Sequence, residues 1–314
     1  MAGAGDVLAA FLRSQATAFL RGLRLHDESP ASGADSTGRF EAARGLRGAA
    51  RRISGSLATF RVVTESAWAD GLRTELVWLS STLAHEHAYA ARLARLMDAL
   101  HRLSGSPEVP APRGASSAGA LTVGSARAGA LLERQLTLAR TRAHSATLQA
   151  LGSARFHAVA DAVAVLASDV PLDPVAARGR VDEVLLPLAA VAETRLSAAV
   201  AALPPADGGH PYDADHDGLW HEVRRLLRIH RYAREALGED VARAAAAGEA
   251  LDRHRDAAEA AAASATAART PRIAPATAYA LGVLHADQRH AAEAARTAFR
   301  HVWLPEPAIT PRPR

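Results

Sequence analysis

The chain predicts an all-α protein, on three observations. Its 314 residues are dominated by Ala, Leu, Arg and Glu, all strong helix formers, whereas aromatic residues are only 4% and β-branched residues are scarce. Apolar residues recur at helical spacing in long segments, and no stretch alternates with the two-residue period of a strand. Clusters of Pro, Gly and Ser separate those segments, as breakers separate helices.

Taken in order, the first helix is expected over residues 6–25, closed by the linker "HDESPASGADSTG" at 26–38. Helices over 39–63 and 66–103 follow, then the Pro/Gly/Ser loop "SGSPEVPAPRGASSAG" at 104–119. Residues 122–151, 153–167 and 174–203 continue the pattern, the last with a kink expected at Pro187, which lacks the amide hydrogen a helix interior needs. "PPADGGHPYDADHDG" at 204–218 is the sharpest break and the expected junction between repeats. Helices over 219–237, 239–268 and 277–303 complete the chain, and the tail "LPEPAITPRPR" is expected to be disordered.

Composition removes several kinds of chemistry. There is no Cys, hence no disulfide, thiolate metal site or Cys nucleophile, which suits a reducing cytoplasm. There is no Lys either, so all 37 basic residues are Arg. This excludes a P-loop lysine and Schiff-base catalysis, and it leaves only the cation that grips phosphate in a bidentate fork. The net charge of +4 is mild, so the placement of charge carries the argument. Charged residues interrupt each apolar run, so no membrane span is expected, and "MAGAGDVLAAFLRSQ" does not read as a signal peptide.

Placement is most informative in "DADHDGLWHEVRRLLRIHRYAREAL", residues 213–237. At about 100° per residue, His221, Arg224, Arg228 and Arg231 share one helix face within about 80°, with Arg225 at its edge. Val223, Leu226, Leu227, Ala233 and Leu237 lie opposite. Like charges one turn apart repel, and Glu222 and Glu235 relieve them only at the ends, so this face calls for a counterion. "RGLRGAARRISGSLATF" at 44–60 repeats the spacing, with Arg44, Arg47, Arg51 and Arg52 set against Leu46, Ala49, Ile53, Leu57 and Phe60. Two such faces, one early and one late in the chain, suggest a shared basic channel or groove.

The start of the longer stretch imitates a calcium loop. Asp213, Asp215, Asp217 and Gly218 fit an EF-hand, but its twelfth position is Arg224 where a bidentate Glu is required. An acidic entry to a helix, with Asp217 as N-cap, is the better reading. "HEH" at 85–87 lacks the second His of a zincin, which would have to stand at Tyr89. His285 and His290 read as surface histidines, His210 and His216 flank the acidic loop where they could bind a metal adventitiously, and no metal or other cofactor is expected as part of the function.

The motifs of these stretches resemble the CHAD family, the conserved histidine α-helical domain. "LWHEVRRLLRIHRYAREAL" is similar to the second of its basic helices, at His221, Arg224, Arg228, Arg231 and Tyr232. "LDRHRDAA" matches the following stretch at His254 and Asp256, with Asp252 in place of Gly. Further segments resemble the family over roughly residues 6–303. The resemblance implies a single domain spanning 1–314, with helical halves at about 6–168 and 174–303. These would be pseudo-symmetric four-helix bundles around a basic central cavity, followed by the tail 304–314.

The resemblance also implies non-catalytic binding of inorganic polyphosphate, in the cytoplasm and in some members at polyphosphate granules. The residues it singles out are Arg44, Arg47, Arg51, Arg52, Arg195, His221, Arg224, Arg225, Arg228, Arg231 and His254. The chain departs from the family pattern at Arg44, which stands at the first motif's His position, and at Ser54, in place of its last basic residue. His87 and Ala88 stand where an Arg-Asp pair is usual, and the stretch around Arg195 lacks extra basic residues. Alternatives are a divalent-metal phosphohydrolase built on Asp213, Asp215 and Asp217, a nucleic-acid binder using the same arginines, or a scaffold that has lost its ligand. With His in the site, polyphosphate binding is expected to strengthen from pH 8 to pH 6.

Overall fold

The computed structural model describes residues 3–28, 36–105, 117–205 and 214–304. Among these the protein is all-α, with helices α1 (Ala4–Glu28), α2 (Ser36–Thr59), α3 (Ser66–Gly105), α4 (Ser117–Leu151) and α5 (Ala154–Ser168). They are followed by α6 (Val181–Ala201), α7 (Asp217–Ala236), α8 (Ala242–Ala268) and α9 (Pro275–Trp303). Strand-like pairing among the described residues is confined to isolated bridges of Gly3 with Arg180 and Thr64 with Leu172. The expected tail (305–314), most of the linker at 26–38 and of the loop at 104–119, Asp213 and His210 lie outside the described residues.

Where helix boundaries differ from the sequence expectation, local chemistry explains it. The segment expected over 174–203 opens with a separate 3-10 turn, Ala176–Arg178, before α6 begins. The Asp173 carboxylate accepts from the amides of Val175 and Ala176 at 3.0 and 2.8 Å, which tightens that turn. At Gly179 an added Cβ would meet Val184 at 2.4 Å. α6 then runs unbroken through Pro187. Between α7 and α8, Gly238 takes a positive φ of 71° and its amide reaches the Glu235 carbonyl at 3.1 Å, so α8 starts at Ala242 rather than at 239.

α6 bears on one further expectation. By length and composition it is apolar enough to cross a membrane, despite the charges of Asp182, Glu183, Glu193 and Arg195 within it. Its buried stripe is Leu185, Ala189, Ala192 and Leu196.

The chain divides into two compact units, each assembled from separated stretches. Unit 1 comprises Met1–Tyr89, Leu138–Ala198 and Arg228–Asp240. Its core gathers Leu8, Leu12 and Phe19 of α1, Leu46, Ile53 and Leu57 of α2, and Leu72, Leu76 and Leu79 of α3. Phe156, Val163 and Leu166 of α5, Leu185 of α6, and Ala233 and Ala236 of α7 complete it. Close approach of α1 to α2 depends on Gly22, where a Cβ would meet the Leu46 amide nitrogen at 3.2 Å.

Unit 2 comprises Ala90–Thr137, Ala199–Leu227 and Val241–Arg314. Here α8 turns a stripe of alanines inward, among them Ala247, Ala250, Ala257, Ala260 and Ala261. α9 answers with Leu281, Leu284, Ala292 and Phe299. Small side chains let two helix backbones approach closely, which compensates for the short supply of large apolar residues. Trp220 at the start of α7 is 1% exposed and meets Phe299 edge-to-face at 5.8 Å between ring centroids.

One contact in unit 1 sets the geometry of the arginine helices. α2 passes α7 at Gly55, where a Cβ would come within 2.7 Å of Tyr232 Cδ2. Gly to Ala within a helix ordinarily stabilises by roughly 0.5–1 kcal/mol. Here Gly55→Ala is expected to destabilise instead, by about 1–3 kcal/mol, because the Tyr232 ring is buried and has to move. Urea unfolding of wild type and variant measures the sign.

Candidate functional site

The arginines of α2 are spaced one turn apart because α2 buries Leu46, Ala49, Ile53 and Leu57 on its other side. Arg44 is exposed, and Arg47, Arg51 and Arg52 are half-buried beside it. Arg51 Nε donates to the Arg47 carbonyl at 3.2 Å, which lays its side chain along the helix. Among the described residues no carboxylate pairs with Arg44, Arg51 or the exposed Arg195 of α6.

The unit 1 portion of α7 brings Arg228 and Arg231 into the same unit as this row. Glu235 joins the two helices. Its carboxylate accepts from Arg52 Nε at 2.6 Å and lies 3.2 Å from Arg231 Nε. Both guanidiniums also lie over the Tyr232 ring, at 5.5 Å for Arg52 and 5.3 Å for Arg231. Arginines from two sequence motifs thus converge on one acid and one aromatic ring. The sequence had assigned Glu235 only the relief of its own helix end; its reach to Arg52 depends on how α2 and α7 pack.

In unit 2, the remaining members of the set take up other positions. Arg224 is not part of an open ladder; it is 9% exposed and its Nε donates to Asp252. Asp252 is the residue that stands in place of the family's Gly, so this departure supplies a counterion. Arg225 is exposed and paired with Glu222, one turn back, at 2.7 Å. His221 and His254 meet edge-to-face at 5.7 Å. His221 is exposed, yet partial desolvation by its neighbours lowers it from the ordinary imidazole range, opposed by the charges of Asp217 and Glu259. Burial likewise lowers His254, which is fully enclosed, although Asp217 favours its charged form. Both shifts favour the neutral ring.

Asp217 is a half-buried anchor rather than a calcium ligand or a simple cap. It is the first residue of α7, and its Oδ2 accepts from Arg289 Nη1 at 2.6 Å. Its Oδ1 accepts from Arg296 Nη2 at 2.6 Å and lies 3.3 Å from His254 Nε2. Burial opposes ionisation of Asp217. The contacts with His254 and Arg289 outweigh that penalty and hold the carboxyl well below its usual range. Arg289 and Arg296 were not among the residues proposed from sequence. A signal was present, because they stand seven apart in α9 on the stripe that also carries Leu281, Leu284, Ala292 and Phe299. A cation inside an apolar stripe requires a buried acid.

Among the described residues, no group of three or more His, Asp or Glu side chains converges as a metal site. What the arrangement offers chemically is a set of fixed cations. In unit 1 these are two arginine rows linked at a shared acid, with Arg44 and Arg51 lacking carboxylate partners. Such rows suit a ligand that repeats its negative charge along a chain.

Comparison with known proteins agrees with the sequence motifs and the helical fold. The model of the CHAD domain matches residues 14–263, and the chain belongs to that family. Among solved structures it is similar to PptA from Streptomyces chartreusis, at 59% sequence identity and a TM-score of 0.81. That similarity covers 96% of this chain and 99% of PptA. No curated protein sequence matches.

Replacing Asp217 by Asn removes the anion that Arg289 and Arg296 share, leaving Arg296 with Glu293 at 3.1 Å, and is expected to cost about 3 kcal/mol at pH 7. The folded carboxyl titrates below its unfolded value of about 4, so its contribution is present above that pH and fades as the pH falls below it. The difference in unfolding free energy between wild type and Asp217→Asn, measured from pH 7 down to pH 3, should therefore shrink only at the acid end.

Proposed function

We propose that this chain binds inorganic polyphosphate without catalysing its turnover, through the arginine- and histidine-bearing faces of α2 and α7. The observation that carries the reading is the meeting of the two arginine rows at Glu235 in unit 1. Arg44, Arg47, Arg51 and Arg52 supply one row, and Arg228 and Arg231 the other. Arg195 adds an exposed cation on α6. In unit 2, taken by itself, His221 and Arg225 are the exposed candidates, whereas Arg224 and His254 are enclosed and held by Asp252 and Asp217. Membership of the CHAD family supports this reading, because the sequence resemblance implied polyphosphate as the family's ligand.

Guanidiniums spaced one helical turn apart can meet successive phosphates with charge-assisted hydrogen bonds. Each contact releases condensed counterions, so affinity falls steeply with salt. Protein–polyphosphate association is the whole of the proposed activity. It requires no cofactor, and it would operate in the cytoplasm, at polyphosphate granules where these form. The phosphohydrolase alternative would need Asp217 free for a metal ion, whereas Arg289 and Arg296 already occupy both its oxygens. Nucleic-acid binding would use the same cations and is separated by competition.

Titration with long-chain polyphosphate against sulfate and DNA, at several fixed salt concentrations, tests the reading. Tight binding of polyphosphate in preference to both competitors is expected. Arg51→Ala and Arg228→Ala should each weaken it about fivefold to tenfold and flatten the slope of log K against log salt by about 0.7. Unchanged titrations for both variants would remove the assigned site.

The structure also moves the pH window expected from sequence. Partial desolvation lowers His221 from its ordinary value, so its charge appears at a lower pH than that of a free imidazole. Binding at constant salt should be level between pH 8 and pH 7 and strengthen toward pH 5. His221→Gln should abolish that rise.

A further inference from the structure

We infer that Glu235 and Asp252 are internal competitor anions, occupying motif guanidiniums that an incoming polyanion must win from them. The inference rests on the polyphosphate reading and adds to it what governs access to the site.

The geometry supports competition rather than simple neutralisation. Glu235 is engaged by both arginine helices of unit 1, at 2.6 Å from Arg52 and 3.2 Å from Arg231. Its side chain keeps 17% exposure and that of Arg52 keeps 32%, so the pair sits at the edge of solvent, where an external anion can reach it. Asp252 holds Arg224 in unit 2; its own side chain is 52% exposed and that of Arg224 11%, so an external anion meets this pair from the carboxylate side. Asp217 marks the contrast. Its side chain is 16% exposed, much like that of Glu235, but its partners Arg289 and Arg296 have side chains only 1% and 7% exposed, against 32% and 22% for Arg52 and Arg231, so the cations it holds are enclosed.

A carboxylate tethered within hydrogen-bonding distance acts at a high effective concentration that no dilute small anion matches. Orthophosphate or sulfate offers one anionic centre to exchange for the tethered one and gains little. A polymer that also engages the unpaired Arg44 and Arg51 can displace Glu235 without relying on that exchange alone. The internal acids thus act against the wrong ligand, giving selectivity for long polyanions over single anions. They also keep the guanidinium rows from repelling one another while the site is empty.

The test uses the full chain and isosteric variants. Glu235→Gln keeps an acceptor oxygen but removes the charge, so Arg52, Arg231 and residue 235 together change from a net single to a net double positive charge. Long-chain polyphosphate should bind about fivefold to tenfold more tightly at fixed salt, and the slope of log K against log salt should steepen by about 0.7. Orthophosphate, undetectable with wild type, should become a measurable competitor.

Asp252→Asn provides a second variant whose exposed site tolerates the change, with the same direction of effect expected. Glu75→Gln removes an equal charge from the Arg155 pair of unit 1 and should leave affinity and slope unchanged. Equal or weaker binding by both Glu235→Gln and Asp252→Asn, beside a wild type that binds, overturns the competitor role and makes these acids positioning residues. Absence of polyphosphate binding in wild type and in both variants overturns the polyphosphate reading itself, and this inference with it.

Discussion

An arginine cannot discharge itself. Its pKa stands so far above neutrality that burial must be answered by an anion rather than by loss of a proton. A chain whose basic residues are all arginine lives under that constraint throughout, and the arrangement of acids follows from it. Asp217 answers Arg289 and Arg296 inside unit 2, and Asp252 answers Arg224. Glu235 answers Arg52 and Arg231 in unit 1. Of the arginines singled out from sequence, Arg44 and Arg51 on α2 and Arg195 on α6 have no carboxylate partner among the described residues. The paired cations differ in exposure: the side chains of Arg289 and Arg296 are enclosed, whereas those of Arg52 and Arg231 keep contact with solvent.

Packing decides where that distinction falls. Few large apolar residues are available, so the helices approach closely over alanine and glycine. The stripe of α8 against α9 and the passage of α2 by Tyr232 at Gly55 are the clearest cases. Close approach brings side chains from distant sequence motifs within hydrogen-bonding distance. Tyr232 serves in both capacities, since it fills space against Gly55 and presents its ring to the guanidiniums of Arg52 and Arg231. A site for a flexible polyanion needs no enclosed pocket of the kind a small substrate requires. It needs cations held at a repeat, and helices supply that repeat directly.

Much of this was readable before any coordinates. Helix formers, helical periodicity and Pro/Gly breakers are local properties, so the helices appeared close to where they were expected. The differences at Ala176–Arg178 and at Gly238 come from a side-chain cap and a left-handed glycine. The arginine rows were readable for the same reason, because residues one turn apart share a face whatever else the chain does. One expectation did not survive: Arg224 is buried against Asp252 rather than displayed. The apolar length of α6 is likewise a local property, one that a core helix and a membrane span share.

The sequence by itself determined the helical class, the breakers, the arginine spacing and the family, because each is written in neighbouring residues. Only the tertiary structure decided which cations are already neutralised. Asp217 meets Arg289 and Arg296 across more than seventy positions, and Glu235 meets Arg52 across 183. Coulombic pairing depends on distance in space, and a helical wheel carries no information about which wheel faces which.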